Sequence, residues 1–342
     1  MSEERNARGE TEFVSEIVAS GYAYPSERVD NATYLSRCQF DIASDVDALI
    51  HETQMKQRTW CTEDENTWTM ARTAVQRALK SNPALRDEID VVLVASGTTM
   101  PVLHAPEADN AGVADLAPLV LRELGIDSAL GLDLKACYCT GFLRGLQVAD
   151  GLLANSNYRA ALVIATEQGS RFSVAPTNRS KFCFIMSDAA GAVVLRKAPK
   201  AENTGIVDYM GRTEASKFDW VGIGSDAAST IMRGSRAGEA TVAMLTECGS
   251  TLLKRNSLTP ADVDWLLPIQ THAGIVDMAR EALGFPSDKL LWFGGDTGFS
   301  GSASIAACLA EQLEKGTIKK GDLVLSIAVG AGMNCGGVLY YA

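Results

Sequence analysis

One cysteine in this chain stands where a thiol can become a nucleophile. The stretch 132–150, LDLKACYCTGFLRGLQVAD, begins as a short apolar run of strand character. It turns through Cys137, Tyr138, Cys139, Thr140 and Gly141, then places Phe142, Leu146 and Ala149 at helical spacing. A cysteine at such a junction meets backbone N–H groups and the positive end of a helix, and both favour a thiolate. Cys139 is therefore the candidate nucleophile. Cys137 competes with it, but C-Y-C is neither the C-x-x-C redox spacing nor a convincing metal pair. Cys139 is preferred because Gly141 and the helix follow at once. The plainer alternative is a buried packing cysteine, a common fate of a free thiol.

Partners for such a thiol are few. The 342 residues include three histidines, His51, His104 and His272, so the search for a base is short. Cysteine, histidine and acidic residues show no metal-ligand spacing. The eight cysteines are scattered, no secretory leader pattern opens the chain, and no unbroken apolar run reaches membrane-spanning length. A cytoplasmic protein with reduced thiols is expected, with no membrane partner. The formal charge of −11 argues against nucleic acid as the default partner. With 46% hydrophobic and 21% charged residues, the composition is that of an ordinary globular chain with a large core.

The elements that must hold Cys139 recur. Strands are expected at 14–21, at VVLVAS after Asp90, at 130–134 and at AALVIATE after Arg159. Helices are expected at 31–35, 69–80, 116–124 and 142–155; 43–60 reads as partly helical, ending in the polar KQRTW. Continuous apolar runs of strand length are those of parallel strands buried on both faces. The second half repeats the order: helix 242–254, a strand in DWLLPIQ, helix 275–283, strand 290–293, the loop GGDTGFSGS, helix 303–315 and a final apolar hairpin. Two similar halves packed as one α/β unit follow from this matched order. Residues 196–240 read as a connection that either shapes a pocket or is a plain surface insertion. Neither G-x-G-x-x-G nor a P-loop occurs, so the glycines do not signal phosphate binding. Gly330, Gly332, Gly336 and Gly337 are candidates for a site floor offering a backbone N–H. Asp188 reads as a turn-fixing residue.

Four segments in order resemble the thiolase-fold condensing enzymes, most closely the ketoacyl-acyl-carrier-protein synthase III family. They are ETQMKQRTWCTEDENTWTMA, the Cys139-Thr-Gly-Phe run with its helix and LVIATE, SDAAGA from Ser187, and the C-terminal GAGMNCGGVLYY. The resemblance spans about residues 14 to 342. It implies a duplicated αβαβα layered fold with mixed five-stranded sheets, halves at 1–195 and 196–342, and a likeness to homodimers. It also implies an acyltransferase that loads Cys139 from a coenzyme A or carrier-protein thioester and has no tightly bound cofactor. The acceptor belongs to fatty-acid-like or polyketide biosynthesis. A decarboxylative 3-oxoacyl synthase and a catalytically reduced partner subunit of a heteromeric enzyme are the alternatives.

The chain departs from the family pattern at two catalytic positions. Where the family has histidine in Pro-His-Gln-Ala-Asn, this chain has Ile269, with His272 three residues on. Where it has asparagine in Gly-Asn-Thr-Ser-Ala-Ala-Ser, this chain has Phe299, with Asp296 three residues before. One extra residue lies between Asp133 and Cys139. His272, oriented by Asp296, could make a Cys–His–Asp arrangement with Cys139. Three residues separate His272 from Ile269, so they share a face only if the segment is helical. Arg58, Trp60, Arg144 and Arg171 are candidate contacts to coenzyme A or phosphopantetheine, or else surface ion-pair and packing residues. His104 and Glu107 could act across a dimer interface or sit in a solvated loop.

Overall fold

A computed structural model describes residues 13–38, 45–98, 115–135, 138–154, 157–174, 181–223, 230–232 and 237–342. The first half runs β1 (Phe13–Ala23), β2 (Glu27–Asp30), α1 (Asn31–Arg37), α2 (Val46–Thr53), β3 (Gln57–Trp60), α3 (Thr67–Lys80), β4 (Ile89–Ala95), α4 (Ala117–Leu124), β5 (Leu130–Leu134), α5 (Gly141–Ala154), β6 (Ala160–Gln168) and β7 (Asp188–Pro199). Then come β8 (Ile206–Thr213), β9 (Val221–Ile223), β10 (Thr230–Met232), α6 (Ala237–Arg255), β11 (Trp265–Pro268), α7 (Ala273–Leu283), α8 (Gly294–Thr297), α9 (Ala303–Glu314), β12 (Leu323–Gly330) and β13 (Asn334–Tyr341).

The apolar runs become a mixed five-stranded sheet of order β1-β7-β6-β4-β5. β4 pairs in parallel with β5 and β6, and β7 runs antiparallel to β6 and β1. Alternate residues face opposite layers, as the strand period of two requires. Val91, Leu93, Val163 and Val193 join the core shared with the second half. Val92, Val94, Leu162, Ile164 and Val194 join a second core with α3 and α4. Both faces are therefore covered, which is why these strands read as unbroken apolar sequence rather than as alternation. Gly191 on β7 is required by close approach: a Cβ there would lie 2.3 Å from the backbone of Ala306 in α9.

The second sheet has order β11-β12-β13-β8, parallel between β11 and β12 and antiparallel elsewhere. Where a fifth strand is expected at 290–293, a single bridge joins Leu290 to Leu266, and the chain coils at once into α8. KQRTW is not a polar helix end but includes the buried strand β3, paired with β2. Arg58 there is fully buried, its guanidinium stacked 4.4 Å from the Tyr34 ring and 4.3 Å from Phe184. Tertiary packing has overridden local polarity. The connection after β7 contributes β8 to the second sheet and the β9–β10 hairpin.

Candidate active site

A cavity of about 500 Å³ opens between the two halves. Cys139, Glu167, Ile269, His272 and Phe299 all line it, with Met333 from the turn between β12 and β13. Cys139 sits in the 3₁₀ turn Tyr138–Thr140 that leads into α5. Its own backbone N–H and that of Ala331 lie beside the sulfur and favour its anion. Burial pushes the thiol up to about 12, and the neighbouring carboxylate of Glu167 adds to the push; the two N–H groups oppose it. The resting group is therefore a thiol. This reverses the thiolate expected from the helix start, because loss of water outweighs the backbone dipoles here. The same two N–H groups form an anion-binding corner beside the sulfur. Of the glycines expected at the floor, Gly330 lines the cavity, whereas Gly332, Gly336 and Gly337 do not.

Glu167 was not singled out in the sequence, where it is the last residue of LVIATE. It is buried at the end of β6 and takes four hydrogen bonds: Gly97 N–H at 3.0 Å, Thr98 N–H at 3.0 Å, Thr98 Oγ1 at 2.6 Å and Ser302 Oγ at 2.7 Å. These occupy its acceptor positions and tie the end of β4 to the start of α9. Burial raises its pKa, and the donors act the other way. The signal available was an acidic residue closing an apolar strand that leads to the site; binding crevices in α/β sheets lie at such carboxyl ends.

His272 occupies the cap position of α7, outside the helix itself, and lines the cavity with Cys139. Segment 269–272 is not helical, so the shared-face argument does not apply; Ile269 and His272 nevertheless reach the same space. Asp296 is not brought to them. It lies in α8 with its side chain 54% exposed, 3.2 Å from Lys56 Nζ, so the expected Cys–His–Asp grouping is not assembled. Ile269 and Phe299 are each 2% exposed and present hydrocarbon to the cavity. Phe299 is fixed by edge contact with Phe182 at 5.2 Å and by backbone bonds to Ile185 and Ser187.

The four expected cofactor contacts lie outside the cavity lining. Arg58 Nε donates to the Phe184 carbonyl at 2.6 Å and Nη1 to Asn31 Oδ1 at 3.0 Å; burial lowers its pKa to about 10. Trp60 is buried with Nε1 donating to the Met186 carbonyl at 3.1 Å. Arg144 braces α5 against β13 through the Cys335 carbonyl at 2.9 Å. Arg171 is half-buried within the electrostatic reach of Asp188 and Cys61. Of the two readings offered for these residues, packing describes Arg58, Trp60 and Arg144, whose partners are local. Asp188 is fully buried and accepts from Cys61 N–H, Ser170 N–H and Ser170 Oγ, each at 2.7 Å, so it ties segments together. His104 and Glu107 lie outside the described residues. Among the described residues no group of three or more His, Cys, Asp or Glu side chains could hold a metal ion. From the 196–240 connection, Val221, Gly222, Ala237 and Gly238 line the cavity.

With this geometry in place, relatives can be compared. Residues 132–215 match the family model for 3-oxoacyl-[acyl-carrier-protein] synthase III, and residues 253–342 match that for its C-terminal part. A beta-ketoacyl-[acyl-carrier-protein] synthase III of Paramagnetospirillum magneticum is 30% identical, covering 95% of this chain and 98% of the relative. The crystal structure of 3-oxoacyl-[acyl-carrier-protein] synthase III from Aquifex aeolicus superposes with a TM-score of 0.82 at 23% identity, over 96% of this chain and 100% of that one. The priming beta-ketosynthase of the R1128 polyketide biosynthetic pathway superposes with a TM-score of 0.83 at 24% identity, over 98% of both chains. The duplicated architecture is thus the thiolase fold, and this chain belongs to the 3-oxoacyl-[acyl-carrier-protein] synthase III family.

Proposed function

We propose that this protein is a thioester-dependent acyltransferase in which Cys139 accepts an acyl group from a coenzyme A or carrier-protein thioester and passes it to an acceptor. The observation that carries the reading is the placement of Cys139: its sulfur faces a mostly apolar cavity and has two backbone N–H donors beside it. The acyl thioester is a substrate, and no resident cofactor is invoked.

Loading is an exchange of one thioester for another. The Cys139 sulfur forms a bond to the acyl carbon, the bond from that carbon to the pantetheine sulfur breaks, and the thiol proton ends on the departing pantetheine sulfur. The N–H groups of Cys139 and Ala331 stabilise the oxygen that becomes negative on the way. A thiol raised to about 12 needs help in losing its proton, and His272 is the basic side chain in the same cavity. The halves divide the work, 1–195 carrying the nucleophile and 196–342 the Ala331 N–H and His272. On the family resemblance it would act as a homodimer, with a coenzyme A or carrier-protein thioester as partner. Among the described residues no helix is long and apolar enough to cross a membrane.

Transfer to an oxygen or nitrogen acceptor is favoured over decarboxylative condensation. The latter needs donors for an enolate oxygen, and Ile269 and Phe299 have none. Removing one such donor costs about 10²–10³ in rate. Intact-mass analysis after incubation with acyl-coenzyme A and acyl-carrier thioesters tests the reading. An acyl mass on Cys139 that the Cys139→Ala variant lacks supports it; identical behaviour of the two proteins across the panel refutes it.

A further inference from the structure

The residue beside the nucleophile is in an unusual backbone state. Tyr138 has φ of 37°, in the left-handed region that bulky side chains avoid. Tyr138 lines the cavity with Cys139 and Glu167. Gly97, at the end of β4, makes room for it: a Cβ there would lie 2.6 Å from Tyr138 Cδ1. Among the described residues its hydroxyl makes no hydrogen bond. Burial raises its pKa above the ordinary tyrosine value, and the nearby charges of Glu167 and Cys139 act in the same direction, so it remains a protonated donor at neutral pH.

Ile269 and Phe299 line the same cavity and offer no side-chain hydrogen-bond donor. A strained tyrosine, a glycine that accommodates its ring and two apolar side chains thus flank the nucleophile's cavity. We propose that the Tyr138 hydroxyl is a catalytic hydrogen-bond donor, directed at the carbonyl oxygen of the acyl group as it leaves Cys139. This inference rests on Cys139 carrying the acyl group. In the step concerned, the acceptor's nitrogen or oxygen bonds to the acyl carbon, the C–S bond breaks, and the acceptor's proton ends on the Cys139 sulfur. Tyr138 donates a hydrogen bond throughout and keeps its proton.

Tyr138→Phe tests this, because it removes the hydroxyl and keeps the ring against Gly97. Wild type and variant are loaded from the same acyl-coenzyme A, freed of excess thioester, and exposed to hydroxylamine at pH 7. Loss of the acyl mass from Cys139 is followed by mass spectrometry. The expected result is equal loading at saturation, an unchanged melting temperature, and discharge slowed about 10²-fold in the variant, the scale of a lost oxyanion donor. Discharge within threefold of wild type overturns the proposal and leaves the acyl-cysteine reading intact. Failure of wild type to load at all overturns both. Should Tyr138→Phe melt early, 3-fluorotyrosine at the same position keeps the ring and the hydroxyl, and it must restore discharge to within a few-fold of wild type; if it does not, the hydroxyl is not the group that matters.

Discussion

At Cys139 two influences oppose each other. The backbone donors favour an anion, whereas enclosure and the Glu167 carboxylate favour the thiol, and the latter prevail. A thiol near 12 rather than an ordinary 8.5–9 holds roughly a thousandfold less thiolate at pH 8. Alkylation of Cys139 by iodoacetamide in the resting protein should accordingly be slow, and rise about tenfold per pH unit up to at least pH 10. A plateau below pH 9 would show a thiolate already formed. At Asp188 the sign is similar. Burial pushes this carboxyl up to about 6 despite its three donors. A raised carboxyl contributes stability below about pH 4 that is lost as pH rises through 6, on the order of 3 kcal/mol. Asp188→Asn should remove this slope, so that urea unfolding of wild type and variant diverges between pH 4 and 6; parallel curves would rule it out. Asp296 is the contrasting case. Its exposed pair with Lys56 predicts that Asp296→Asn changes stability by less than about 0.5 kcal/mol, with activity within twofold. A large loss of activity would mean that it reaches the site after all.

At the level of elements, legibility followed burial geometry. β4 and β6 could be read directly, since strands covered on both faces must be apolar throughout, and α5 was marked by Phe142, Leu146 and Ala149. β3 could not. Its polar residues are held by partners distant in sequence: Arg58 by the Phe184 carbonyl and two aromatic rings, Thr59 by Ser187, Trp60 by the Met186 carbonyl. The strand expected at 290–293 shortened to a bridge because Gly294 and Gly295 begin α8, where a Cβ on Gly295 would meet the Gln54 carbonyl at 2.5 Å. Cys139 and His272, expected from type and context, both line the cavity. Glu167 was missed because a strand-ending acid has no motif of its own, and its role depends on Gly97, Thr98 and Ser302, each from another element. β3 also yields a stability prediction. Arg58→Ala, which empties the space between Tyr34 and Phe184 and strands the Phe184 carbonyl, should cost about 3 kcal/mol or more by chemical denaturation. A loss below 1 kcal/mol would show that the stacked guanidinium contributes little.

For the whole molecule, the duplicated architecture explains where the cavity lies. Two sheets from successive halves share a core, and their meeting line holds the cavity in which one half contributes Cys139 and Glu167 and the other Ala331, His272, Ile269 and Phe299. Ile269 and Phe299 pack well as hydrocarbon; Phe299 against Phe182 is an example. The chemistry available in the cavity is one sulfur with backbone donors beside it, a histidine, the Tyr138 hydroxyl and a mostly apolar wall. The central claim is that this sulfur carries the acyl group, and intact-mass analysis followed by peptide mapping after thioester incubation tests it most directly. The account predicts one acyl adduct, located at Cys139 and absent from Cys139→Ala. An unmodified wild type across coenzyme A and carrier-protein thioesters, or an equal adduct on the alanine variant, would contradict it.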